Sequence, residues 1–293
     1  MSAIPDQRAE QKPPLGLWHQ RTGIRSGATA GTTPPVPPVP PVPLVLLHGM
    51  GSASTAWKMI TPGLAEQYEV IAFDLPGHGQ SPWDSSTPMD PESLATIMRN
   101  ELVAMGITRV HVGGNSLGGW VALELAAKYP ELVQSVIALA PAGLWSHVAT
   151  HRQKRGAIAR YLAVATHRVA PYLMRYQWAR RIGFAVVSPL WRELPLETCI
   201  DATIAYGTSP GYYPAWDGML GRKFEKNISA TIPVTIVFGD HDNTLPAKHS
   251  QERSLAPAHC QWLRIDNAGH APMWDHADEV IAIALKTMRA SQS

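Results

Sequence analysis

Six short runs recur along this chain: LVLLH (44–48), YEVIAFD (68–74), RVHVGG (109–114), SVIALA (135–140), VTIVFG (234–239) and CQWLRI (260–265). They are largely apolar or β-branched throughout rather than at every second position. Strict alternation would mark a sheet with one wet face, whereas continuous apolarity marks strands buried on both faces by helices. Helical patterns fall between the runs, at 91–105, 116–129, 246–256 and 274–289. Strand, helix, strand, repeated, predicts a doubly wound α/β sheet that is mostly parallel.

The alternation fails once, from 142 to 229, where helical and turn-rich sequence separates two predicted strands. That is too long for one crossover. It begins just past a strand's carboxyl end, where open α/β sheets bind ligands, so it is expected to form an inserted helical cap over the site. A second irregular stretch, TGIRSGATAGTTPPVPPVPPVP (22–43), cannot supply a ladder of N–H donors and is expected to be a stiff exposed loop or, alternatively, a docking site for a proline-binding partner. The expected organisation is an N-terminal segment with the first strands (1–21), the Pro-rich loop (22–43), a first core part (44–141), the cap (142–229) and a second core part (230–293).

Composition narrows the function classes. A net charge of +2 over 293 residues provides no global field for nucleic acid. Cys199 and Cys260 are too few for a disulfide framework or a thiolate metal site. No run of eighteen apolar residues suggests a membrane span, the N-terminus shows no signal-like apolar stretch, and a cytoplasmic location is the expectation.

Between a predicted strand and a predicted helix stands Gly114-Asn115-Ser116-Leu117-Gly118, a G-x-S-x-G pattern. In that context it specifies a nucleophile elbow, a sharp turn that exposes a serine hydroxyl above the sheet. Gly114 and Gly118 leave room where backbone segments meet, and Gly119 lets the helix approach the sheet. The helix start contributes aligned N–H groups, with the amide of Leu117 pointing at an oxygen that becomes negative when a carbonyl is attacked. A phosphate-binding loop is excluded by spacing: neither G-x-G-x-x-G nor G-x-x-x-x-G-K-[ST] is met.

A serine needs a base, and the base an orienting carboxylate. His270, in IDNAGHAPMWDHADEV, stands in a loop just after the last strand and before a helix, and is the candidate base. His48 is assigned to steadying a loop, His111 to the core and His276 to the surface. VTIVFGDHDNTLP places two acids after a strand, and Asp242 is chosen over Asp240, which follows the turn glycine directly. Glu124 is expected on a solvated helix face. A second oxyanion donor is sought in HGMGSASTAW, with the N–H of Met50 as candidate. Aromatic residues within 204–220 are placed as a lining of the acyl pocket or as packing of the cap.

With Ser116, Asp242 and His270 in that order, together with HGMG, DLPGHGQS and GHAPMWDHADE, the chain resembles the α/β-hydrolase superfamily along 44–140 and 231–289. The resemblance implies an eight-stranded, mostly parallel sheet, the three site residues on loops at its carboxyl edge, a helical cap, and neither a metal nor an organic cofactor. Serine at the elbow, where dehalogenases and soluble epoxide hydrolases carry aspartate, favours an acyl-enzyme route on a small or medium hydrophobic ester. GNSLGG and WDHADEV are similar to meta-cleavage-product hydrolases, which break carbon–carbon bonds, but Ala271 stands where those enzymes carry tryptophan. A carbon–carbon hydrolase, a cofactor-free perhydrolase and a non-enzymatic ligand receptor are the alternatives to an esterase.

The modest net charge hides a local excess. From Trp145 to Arg192 there are nine basic residues and no acidic one, interleaved with Ile158, Tyr161, Leu162, Val169, Tyr172, Leu173, Tyr176, Trp178 and Phe184. Three readings stand open: a solvated cap, attraction of anionic substrates, and peripheral contact with an anionic membrane surface.

Overall fold

The computed structural model describes residues 14–23, 42–152 and 154–291. Among them, one sheet of seven strands forms: β1 (His19–Thr22), β2 (Leu44–Leu47), β3 (Val70–Phe73), β4 (Val110–Asn115), β5 (Val133–Leu139), β6 (Val234–Gly239) and β7 (Gln261–Ile265). Their order is β1-β3-β2-β4-β5-β6-β7, with β1 antiparallel to β3 and every other pair parallel. Among the described residues the sheet thus has seven strands, where the resemblance implied eight in all. Most of the Pro-rich loop, at 24–41, and residues 1–13 of the N-terminal segment lie outside the described residues.

Continuous apolarity in the central strands has the expected result. In β2, Val45 and Leu47 enter one core with Ile71, Phe73, Val110, Val112, Ile236 and Phe238, while Leu44 and Leu46 enter a second core on the opposite face. Helices α2 (Pro91–Ala104) and α3 (Leu117–Lys128) cover the first face; α1 (Thr61–Ala65) and α11 (Ala277–Ala290) cover the second. In α2 the buried Leu94, Met98 and Leu102 recur every fourth residue, and each fully buried Leu contributes about 1.5–3 kcal/mol. Asp90 caps α2 by accepting from the Ser93 amide at 3.0 Å, and Pro91 opens it, so the start is set by sequence. β7 departs from the expected pattern: as the edge strand it leaves Gln261 and Arg264 exposed.

Three corrections concern the helices. The run at 246–256 forms only the short α9 (Ala247–Ser250) and a single turn at Arg253–Leu255. Glu124 is buried, since α3 is covered on both sides, and its carboxylate accepts from Trp120 Nε1 at 2.9 Å. The run at 274–289 is interrupted: α10 (Pro272–Asp275) stops at His276 and α11 starts beyond it.

Between β5 and β6 the chain forms α4 (Lys154–Thr166), α5 (Ala170–Leu173), α6 (Gln177–Phe184), α7 (Leu196–Thr208) and α8 (Tyr212–Met219). This insertion has its own small core of Met174, Ala179, Phe184, Trp191, Leu194 and Cys199. α4, α5 and α6 pack on α7, and α7 packs on the core turn Ser54–Trp57. Lys58, the residue directly after that turn, bridges to Glu197 and Asp201 of α7 at 2.5 and 2.7 Å. These exposed pairs fix orientation more than they stabilise.

Candidate active site

The order of the strands reverses about β2, which has β3 on one side and β4 on the other. At such a switch point the loops leaving the two strands diverge and open a crevice at their carboxyl ends. Leu47 and Gly114 are paired neighbours there, so the loop holding Met50 and the turn holding Ser116 leave the sheet side by side. A Cβ placed on Gly49 would lie 3.1 Å from Ser116 Cβ.

Ser116 sits between β4 and α3 with φ 55 and ψ −116. A non-glycine residue with positive φ carries about 1–3 kcal/mol of strain, which the surroundings must hold. They do so through main-chain bonds: Ser116 N–H donates to Leu139 O at 3.0 Å, and Ser116 O accepts from Ala142 and Trp120. A side chain at Gly118 would collide with the Leu47 carbonyl, and one at Gly114 with the Gly118 carbonyl, so the tight turn requires both glycines. The other non-glycine residues with positive φ among those described, Ala140 and Asn267, also follow the carboxyl ends of strands, β5 and β7.

Asp242 and His270 follow the adjacent strands β6 and β7, and the structure brings them together: Asp242 Oδ2 accepts from His270 Nδ1 at 3.0 Å. Asp242 Oδ1 accepts from the amides of Thr244 and Leu245 at 2.9 and 2.7 Å. Burial acts to raise the Asp242 carboxyl, but the facing imidazole and these donors outweigh it and hold it below the usual carboxylate range. With Nδ1–H engaged, Nε2 is the imidazole atom left to accept a proton. Asp240 is engaged elsewhere, with the exposed His241 at 2.6 Å.

Four residues that the sequence reading missed hold the His270 loop in place. Asn115 Nδ2, on the residue next to Ser116, donates to His270 O at 2.9 Å and to Leu139 O at 3.1 Å. From the insertion, Val187 O accepts from His270 N–H at 2.7 Å. From α10, Asp275 accepts from Gly269 N–H at 2.7 Å and from the Ser188 hydroxyl. Gly269 meets the Val187 carbonyl so closely that no Cβ fits. Burial pushes the Asp275 carboxyl above its ordinary value. In the sequence Asn115 is only the variable letter of G-x-S-x-G, and the contacts of Ser188 and Asp275 depend on where the insertion folds.

His48 anchors the neighbouring loop. Its Nε2 accepts from Leu75 N–H at 2.9 Å, so Nδ1 carries the hydrogen given to Gly49 O at 2.7 Å, and burial lowers its pKa to about 4. Asp74, the first residue of DLPGHGQS, accepts from Ser54 N–H at 2.6 Å and Gln80 N–H at 2.8 Å, tying the loops after β2 and β3. Above them, the rings of Tyr206 and Tyr212 lie directly on Gly51, next to Met50, and their hydroxyls share a 2.8 Å hydrogen bond. The amides of Met50 and Leu117 donate to no protein acceptor among the described residues. His111 is a core residue, as expected, bonded to Ser135 at 2.8 Å. No group of three His, Cys, Asp or Glu side chains is gathered as a metal site among the described residues.

A mostly parallel sheet with a strained strand-to-helix turn at a serine is the frame of one class of hydrolytic enzymes. A sequence model of the alpha/beta hydrolase family matches residues 44–283. The chain belongs to that family, and it is an enzyme of the hydrolase class. An uncharacterized protein of Mycobacterium tuberculosis (strain ATCC 25618 / H37Rv) is 30% identical over 262 residues, covering 85% of this chain and 76% of that one. An esterase of the same organism is 26% identical over 311 residues, covering 96% and 93%. Among solved structures, a thermophilic esterase from Thermogutta terrifontis superposes with a TM-score of 0.67 at 20% identity, covering 94% of each chain.

Proposed function

We propose that the protein is a serine carboxylesterase in which Ser116 is the nucleophile, His270 the general base and acid, and Asp242 its orienting carboxylate. The observation that carries this reading is the 3.0 Å Asp242–His270 hydrogen bond in a loop whose backbone is fastened to Asn115, the neighbour of Ser116. Ser116 Oγ adds to the ester carbonyl carbon while His270 Nε2 takes its proton. The carbonyl oxygen becomes an oxyanion, which the amides of Met50 and Leu117 receive; removing one such donor costs about 100- to 1,000-fold in rate in enzymes of this type. Collapse breaks the bond to the alcohol oxygen, which leaves with the proton from His270. Water then adds to the acyl-serine, again losing its proton to His270, and the acid departs as Ser116 recovers its hydrogen.

The insertion between β5 and β6 is the cap in this reading, and Tyr206 and Tyr212 over Gly51 form its contact with the acyl site. The test is covalent labelling with a fluorophosphonate alongside hydrolysis of short p-nitrophenyl esters. The expected result is one label, mapped to Ser116, with labelling and turnover both lost in Ser116→Ala. A folded protein that neither takes the label nor hydrolyses any ester overturns the proposal.

A further inference from the structure

Among the described residues, most of the exposed large apolar side chains lie in one part of the chain. On α4, Ile158, Tyr161, Leu162 and Val164 are 61%, 73%, 44% and 46% exposed; beyond it follow Val169, Tyr172, Tyr176, Trp178, Ile182 and Val186. Spacing accounts for part of this exposure. Ile158, Tyr161 and Leu162 stand three and four residues apart, as do Trp178, Arg181 and Ile182 on α6, so each set shares a helix face. The opposite sides are the ones used for packing, through Ala163 on α4 and Ala179 and Phe184 on α6. Since α4, α5 and α6 already pack on α7, these apolar faces form the outer layer of the insertion.

The charge there has one sign. Of the nine basic residues between Trp145 and Arg192, Arg160 is buried and Arg152 is paired with Asp217. Arg168, Arg175 and Arg181 are exposed and form no ion pair among the described residues, and the stretch contains no acid to offer one. The Tyr176 and Trp178 rings stack at 6.5 Å beside them.

We propose that the outer face of α4–α6 is a docking surface for anionic lipid bilayers. Aromatic rings with a polar edge suit the headgroup level, aliphatic tips suit the acyl boundary beneath it, and unpaired guanidinium groups match lipid phosphates. A second copy of this chain is the poorer occupant, because a two-fold contact would bring the arginines of one copy against those of the other. An aqueous anionic polymer would match the charge but leave Ile158, Leu162 and Ile182 in water. Docked in this way, the insertion that covers the proposed ester site would rest its outer face on the membrane.

The test uses the full chain and vesicles of phosphatidylcholine, alone or with phosphatidylglycerol, in co-sedimentation. Binding is expected only when phosphatidylglycerol is present, and to weaken about tenfold or more from low to high salt. Trp178→Ser with Ile182→Ser, and separately Arg175→Gln with Arg181→Gln, should each reduce binding about tenfold while turnover of a soluble p-nitrophenyl ester stays unchanged. Absence of binding to the anionic vesicles at low salt overturns the proposal, as does binding that both double variants retain in full. Concentration-dependent dimerisation abolished by Trp178→Ser also overturns it, in favour of a self-contact.

Discussion

At the scale of single residues, the proposed chemistry turns on which nitrogen of His270 is free. Asp242 fixes this by accepting from Nδ1, and its other oxygen is occupied by two amides, so the carboxylate cannot rotate away. Asp242→Asn keeps the size but turns an NH2 toward Nδ1, which then becomes the acceptor and places the hydrogen on Nε2. The expected effect is a loss of about 10^4-fold in kcat with little change in KM or melting temperature, measured on a p-nitrophenyl ester. Asp240→Asn, whose carboxylate faces the exposed His241 and the amides of Asn267 and Ala268 rather than His270, should change kcat less than about tenfold. The position of Asp242 past the turn glycine was readable from sequence, since the turn consumes Asp240 first. Asn115 was not: its two acceptors, His270 O and Leu139 O, are 155 and 24 residues away.

At the scale of elements, the loop that carries His270 is a junction of three pieces of structure. β7 delivers it, Asn115 beside the elbow holds one side, and the insertion holds the other through Val187 and Ser188, with Asp275 of α10 as the clasp. Asp275→Ala leaves Gly269 N–H and the Ser188 hydroxyl without that acceptor and lets the loop shift. Displacement of about 1 Å in a catalytic group costs on the order of 100-fold, so kcat should fall about 10- to 100-fold while KM stays within about twofold, and Asp275→Glu should restore part of it. Equal losses in kcat and thermal stability with no rescue would reduce Asp275 to a packing role. The central strands were legible because burial on both faces leaves them apolar throughout, and α2 and α3 because helical patterns fill the gaps between those strands. The break at His276 was not, because the buried repeat of Val280, Ala284, Thr287 and Met288 reports only on α11, and the clasp at its mouth carries no repeat.

At the scale of the whole molecule, buried histidines set the response to acid. Burial, with His48 as neighbour, pushes His78 to about 3; burial alone lowers His48 to about 4; and burial, with Arg109 nearby, lowers His111 to about 4. The ordinary value is 6.5, so between pH 6.5 and about 4 the unfolded chain binds more protons than the folded one, and stability falls as pH falls. Each such group contributes a slope of up to about 1.4 kcal/mol per pH unit. Urea midpoints from pH 7 to 4 should fall accordingly, and His111→Gln should flatten the slope by about one proton. Below the ordinary carboxylate range the loss continues, as Asp242 is protonated and its contribution disappears. The core role of His111 was readable from its place inside a strand; the depth of His78 was not, since its loop is closed over by Gly211 of the insertion, far along the chain. The attachment of residue 270 to the carbonyl of residue 187 has an evolutionary corollary. In the proposed reaction, the stretch that covers the ester site also fastens the proton carrier, so it is no free module: grafting a relative's version onto this scaffold is expected to disturb turnover even where the new ligand fits, unless the turn at 187 is kept intact.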